Sequence, residues 1–197
     1  MLNNKKFFDV VTPLSDFHRM SKRIAEKVQD SSGGNVADYE IDEVVPGEWV
    51  QMTQTGITKK DAQDGSGTAV PGLSMIALSP IKANTGAGIY EAHDTRVGSV
   101  TVVNIPGVRC KAGSYFFLSQ VEDPANPGSP LNPTGDEIFD FKGKVLSGVA
   151  PGWKLAVRDD GKQQKAVTGT DSQNSVITEV DPDGNWIEFM IVSSYKL

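Results

Sequence analysis

Twice near its C-terminal end the chain sets an Asp–Gly pair between two β-prone stretches, in WKLAVRDDGKQQKAV (153–167) and in VITEVDPDGNWIEFMIV (176–192). An Asp–Gly pair tolerates positive φ at both central positions of a tight turn, the geometry that reverses one strand into its neighbour. Asp160–Gly161 and Asp183–Gly184 therefore predict two β-hairpins, and this end of the chain is committed to antiparallel sheet. The second stretch carries Trp186, Ile187, Phe189, Met190 and Ile191, so apolar residues fall on both faces of its last strand. A strand of that kind is covered on both sides, by the core on one and by a partner on the other.

Upstream segments extend the pattern. VVPGEWVQMTQTG (44–56), LSMIALSPI (73–81) and VGSVTVVNI (97–105) read as short strands closed by Gly or Pro. GSYFFLSQVE (113–122) and EIFDFKGKVL (137–146) continue the series. Twenty glycines and eleven prolines in 197 residues argue against long helices. The expected fold class is mainly β, a compact β-barrel or β-sandwich domain over residues 39–197. Long Gly/Pro-rich loops interrupt it at 58–72 and 122–137. Prolines at 124, 127, 130 and 133 deny the second loop helix and ladder hydrogen bonds, which suits a functional or unstructured segment.

The first 38 residues read as an arm with one helix. Thr12 and Pro13 make a helix start, and Phe17, Met20, Ile24 and Val28 recur at helical spacing. Arg19, Lys22, Arg23 and Lys27 fill much of the remaining circumference, and QDSSGGN ends the segment. Residues 1–30 hold six bases against four acids, while the whole chain carries a net charge of −6. A mildly basic arm on an acidic body suits docking onto another acidic protein and disfavours broad nucleic-acid binding. No apolar run is long enough to span a membrane, and MLNNKKFFDVV reads as no signal peptide. On this reading the protein stays where it is made unless it is packaged into something larger.

Chemistry is thinly supplied. DPDGN (181–185) alternates oxygen-bearing residues around a glycine, but a calcium loop needs its glycine sixth and a carboxylate twelfth, where Trp186 and Val192 stand. Cys110 is the only cysteine, which excludes an internal disulfide and Cys-based zinc. Arg109 and Lys111 beside it could lower its pKa, yet no histidine partner is recognisable. His18 fits a surface position, and His93 in YEAHDTR fits a polar loop with ordinary ion pairs better than an acid–base cluster. The GxG of ANTGAGIYEA lacks the rest of a dinucleotide fingerprint. No catalytic residue, metal or cofactor is expected.

The order of elements over about residues 44–193 resembles the capsid decoration, or cement, proteins of bacteriophage heads. The layout that carries it is VPGEWVQMTQTG, then EAHDTRVGSVTVVNIPGVRCKAGSYF, then GVAPGWKLAVRDDGKQQKAV and NSVITEVDPDGNWIEFMIV. The resemblance implies a virion structural protein on the outside of an icosahedral shell, assembled in the host cytoplasm. It implies homotrimers at local threefold positions that bridge major capsid protein subunits, with no nucleic acid and no membrane as partner. The N-terminal helix and the proline loop depart from the simple layout. The arm residues Phe7, Phe8, Phe17, Arg19, Met20, Arg23 and Ile24 are then the expected contacts with the shell or a sister subunit. Two other readings stand beside it, a phage tail-tube or baseplate protein and a carbohydrate-binding β module stacking sugars on Trp49, Trp153, Trp186 or Tyr90.

Overall fold

The computed structural model describes residues 4–14, 20–23, 44–52, 57–58, 73–79, 82–83, 98–158, 160–167 and 173–192. Within them the protein is mainly β, with two antiparallel sheets and no α-helix. The chain divides into two compact units. Unit 1 comprises Met1–Pro13, Ile105–Arg158 and Lys162–Leu197, and unit 2 comprises Leu14–Asn104 with Asp159–Gly161.

Unit 1 is built on a six-stranded sheet. Its strands are β1 (Phe8–Val10), β8 (Arg109–Gly113), β9 (Lys154–Val157), β10 (Gln163–Lys165), β11 (Gln173–Val180) and β12 (Trp186–Ile191), in the order β1-β8-β12-β11-β9-β10. Both hairpins read from the Asp–Gly pairs are present, as β9–β10 and β11–β12. Gly161 and Gly184 take the positive φ that those turns need, 76° and 68°. Register aligns the buried row Cys110–Phe189–Ile177 with half-buried Val10 at its end, and beside it buried Ala112–Ile187 with half-buried Phe8. Phe117 lies 5.5 Å from Phe139 and edge-on to Phe189 at 5.9 Å, each of the three at most 1% exposed.

The stretch 113–146 holds less strand than its sequence suggests. Ser114–Phe116 form a 3-10 turn, and isolated bridges replace ladders at Phe117–Gln163, Ser119–Phe139 and Phe139–Val145. The reason lies in Phe116–Phe117 and Ile138–Phe139, where consecutive side chains are all buried. A pleated strand sends neighbours to opposite faces, so both can be buried only if the backbone leaves the pleat or is covered twice. The edges β1 and β10 are not paired with each other, so the sheet is not a closed barrel. Leu118 donates to the Gln163 carbonyl at 2.7 Å, and Lys165 donates to that of Asp136 at 3.0 Å, which covers the outer side of β10.

Unit 2 carries the second sheet, in the order β2-β7-β5-β3-β4 with β6 also on β7. These are β2 (Met20–Arg23), β3 (Trp49–Met52), β4 (Ile57–Thr58), β5 (Leu73–Ala77), β6 (Lys82–Ala83) and β7 (Gly98–Val103). Val44, Val50, Ile57, Met75, Ala77 and Val102 form its core.

Two expectations are corrected here. A helix through residues 13–28 is not formed at its centre, because Met20–Arg23 pair antiparallel with Ser99–Val102. A lone helix of this length is marginal in water, whereas the β-branched GSVTVV strand offers a row of backbone groups that a neighbouring strand satisfies. Phe17, Arg19, Ile24 and Val28 lie outside the described residues. Nor do the first 38 residues stand apart as an arm. Met1–Pro13 belong to unit 1, where β1 pairs β8, and the next residues belong to unit 2.

The turn at Gly161 offers a direct check. The Trp49 amide donates to the Gly161 carbonyl at 3.2 Å, and a Cβ at Gly161 would stand 2.7 Å from the Trp49 carbonyl oxygen. Gly128 has a similar positive φ with open space around it. Gly128→Ala should therefore cost about 1 kcal/mol from backbone strain alone. Gly161→Ala should cost about 2–4 kcal/mol, since strain and a backbone clash add. Urea unfolding midpoints of the two variants check the difference.

Candidate interaction surface

Strand alternation decides the fate of Cys110. Its thiol faces the core at 0% exposure, while Arg109 and Lys111 emerge on the other face of the sheet. There they meet Glu188 rather than the sulfur. Arg109 Nη1 lies 3.2 Å from Glu188 Oε1, Lys111 Nζ 3.8 Å from Oε2, and Thr178 Oγ1 donates at 3.0 Å. Burial pushes the Cys110 thiol up to about 12, and the Asp9 and Glu188 carboxylates push the same way. A thiol in that state is a small apolar side chain.

The DPDGN turn spends its oxygens internally. Asp181 Oδ2 accepts from the Asn185 amide at 2.9 Å and from its side chain at 3.1 Å. Lys144 Nζ donates to the Asp183 carbonyl at 2.8 Å and to Asn185 Oδ1 at 2.7 Å. An ammonium group from a distant turn stands where a cation would. Among the described residues no cluster of three or more His, Cys, Asp or Glu is placed to hold a metal. His18 and the YEAHDTR stretch lie outside the described residues.

The inner strand β12 divides as its pattern implies. Ile187, Phe189 and Ile191 are buried at 0% exposure, and Trp186 and Met190 are half-buried on the opposite face. That face is covered in part by the protein's own long side chains, with Lys111 Nζ 4.1 Å from the Trp186 ring centroid. Trp153 likewise carries Lys165 at 4.4 Å, and Trp49 is 2% exposed in unit 2. Tyr90 lies outside the described residues.

Of the expected arm residues, Phe7 and Phe8 belong to unit 1 and Met20 and Arg23 to unit 2, while Phe17, Arg19 and Ile24 lie outside the described residues. Phe7 is 40% exposed, and its carbonyl accepts from Gly113 at 2.9 Å. Phe8 is half-buried in β1 with its ring 5.8 Å from Phe116. Met20 and Arg23 are strand residues of unit 2, in β2.

Two further surfaces of unit 1 are exposed, one that sequence reasoning misses and one that it marks only by composition. One gathers lysines around Tyr115, with Lys6 Nζ at 4.7 Å and Lys162 Nζ at 5.5 Å from its ring centroid. Lys5 packs over Gly143, its Cε 3.2 Å from where a Cβ would stand, and Lys142 of the same turn sits 5.5 Å over Phe141. Lys5 and Lys6 lie more than a hundred positions before the others, so no local pattern announces the group. The other surface is the proline loop, which is ordered by its own carboxylates. Asp123 accepts from Ala125 and from the Asn126 side chain, and Glu122 from the Gly128 amide. Leu131 donates back to the Val121 carbonyl at 2.8 Å. Val121 at 63% and Leu131 at 43% exposure stand at its base.

Glu137 closes the loop. Burial pushes its carboxyl up, but donors from the Thr134 and Gly135 amides and the Thr134 hydroxyl outweigh this and hold it below its ordinary range. A depressed carboxylate pKa contributes stability that is present above the unfolded value and is lost as pH falls through the folded one. Amide exchange at Thr134 and Gly135 should thus be protected near neutral pH and lose protection in acid below the ordinary glutamate range. Glu137→Gln should lower the protection at neutral pH and remove its pH dependence.

Cys110 gives a second check. A thiol-specific disulfide reagent at mildly alkaline pH should leave the folded protein untouched and react fully in urea. Stoichiometric labelling without denaturant would contradict the buried, protonated thiol.

Comparison of the chain with family models, with curated proteins and with solved structures finds no match.

Proposed function

We propose that this chain is a virion structural protein, an all-β decoration protein that binds the outside of an icosahedral phage capsid. In this role it contacts the major capsid protein, gathers as a homotrimer at local threefold positions and stabilises the shell by bridging its subunits. The observation that carries the reading is the proline loop, which is hydrogen-bonded within itself and exposed over most of its length. A loop ordered beforehand loses little entropy on docking, so its exposed apolar side chains contribute more fully to a contact. The candidate chemical groups that are described support the same reading, since Cys110, Asp181 and Glu188 serve the fold. Many copies on a lattice turn weak single contacts into firm attachment.

The N-terminal segment takes a different part from a free clasp. Residues 8–10 complete the edge of one sheet and residues 20–23 the edge of the other, so deleting them removes strands. The tail-tube or baseplate reading draws on β1, which is an edge strand of the unit 1 sheet among the described residues. The carbohydrate reading is weakened by the lysines lying over Trp153 and Trp186.

Separated heads and tails of purified virions, analysed by mass spectrometry, distinguish these readings. The decoration reading expects the protein on heads in fixed proportion to the major capsid protein. Recovery on tails alone would favour the tube reading, and absence from particles would end both.

A further inference from the structure

The two surfaces of unit 1 complement each other in charge and in apolar content. Lys5, Lys6 and Lys142 are exposed, Lys6 over Tyr115, Lys5 against the Gly143 turn next to Ser114 and Lys142 over Phe141 in that same turn, and among the described residues none of the three pairs with a carboxylate. The proline loop, 121–137, contains Glu122, Asp123, Asp136 and Glu137 and no lysine or arginine. Phe7, Val121 and Leu131 are three of the four large apolar side chains that unit 1 exposes among its described residues. One surface is therefore basic and apolar, the other acidic and apolar.

Within one copy the two do not meet as ion pairs. The loop is tied at its base by Gln120 to Phe139, by Leu131 to Val121 and by Lys165 to Asp136. We propose that the proline loop of one copy seats on the lysine and aromatic surface around Tyr115 of a second copy. Val121 and Leu131 then pack against Phe7, and Glu122 and Asp123 face Lys5, Lys6 and Lys142. This joins unlike surfaces, so each copy offers one donor and one acceptor, and the contact propagates into a ring or an open chain. It does not rest on the virion reading, because the free protein suffices to test it.

A single loop buries less than the roughly 800 Å² per partner of a standard interface, so the contact is weak in isolation, about 1–100 µM. Sedimentation velocity of the full chain across that range should show a sedimentation coefficient that rises with concentration. Raising salt to about 0.5 M should weaken the association about tenfold, since these charges stay near solvent.

Two variants supply the decisive arm. Lys5→Glu/Lys6→Glu/Lys142→Glu spoils the basic surface, and Val121→Ser/Leu131→Ser spoils the loop while keeping its backbone hydrogen bonds. All five side chains are exposed, and circular dichroism checks that both variants keep the native sheet signal. Each variant alone should sediment as a monomer. Their equimolar mixture should form a one-to-one dimer that grows no further, because only one intact loop meets one intact lysine surface. A wild-type protein that stays monomeric at the highest concentration would overturn the proposal. So would a variant that associates like wild type, or a mixture that remains monomeric. Carbodiimide coupling of the wild type gives a test free of substitutions. It should link the Lys5–Lys6 or Lys142 peptide of one isotopically marked copy to the Glu122–Asp123 peptide of another, and its failure to do so in associated protein would equally refute the contact.

Discussion

Unit 1 depends on the placement of β12 between β8 and β11. One partner is its own hairpin, and the other lies nearly eighty residues upstream. Pairing with β11 is local and cheap in chain entropy. Pairing with β8 closes a long loop before any contact repays it, so the stabilisation must come from what that closure buries. It buries the row Cys110–Phe189–Ile177 and sets Phe189 edge-on to Phe117. Once Phe117 is fixed, the segment after β8 must cross to Gln163 on β10. Tyr115 then sits where lysines from before β1 and before β10 reach it. Both exposed surfaces of unit 1 are consequences of that packing.

What was legible in the sequence was local. Asp160–Gly161 and Asp183–Gly184 announced their hairpins because the glycine supplies the positive φ that each turn uses. The alternation in WIEFMI fixed which side chains of β12 enter the core. The segment around Met20 failed for the opposite reason. Its helical spacing was real, but β7 supplies pairing partners that spacing alone does not reveal, and tertiary pairing prevailed. Phe116–Phe117 misled in another way. A strand reading assumes one buried face, whereas both rings are buried through a 3-10 turn.

The candidate surfaces were less legible still, because charge is a property of neighbours in space. Arg109 and Lys111 flank Cys110 in sequence, yet strand alternation sends them to Glu188 on the other side. Lys144 clamps the turn at Asp183 and Asn185 from thirty-nine and forty-one positions away, which no motif search anticipates. The proline loop was visible as an anomaly of composition. Its rigidity was not, since that arises from carboxylates accepting backbone donors within the loop.

These placements bear on how a chain with net charge −6 could pack beside copies of itself. Uniform charge of one sign opposes crowding on a lattice, and the penalty grows as copies approach within a Debye length, about 8–10 Å at moderate salt. The proposed docking would offset that penalty locally, by setting the acids of the proline loop against the lysines near Tyr115. An unlike pair of surfaces also sets direction, because a loop cannot dock on another loop of the same charge. Direction distinguishes closure from growth. If the rotation between docked copies closes, the result is a small ring suited to a symmetric position on a shell, and if it does not, the result is a filament suited to a tube. The geometry of one contact thus separates the two virion readings more sharply than any catalogue of surface residues.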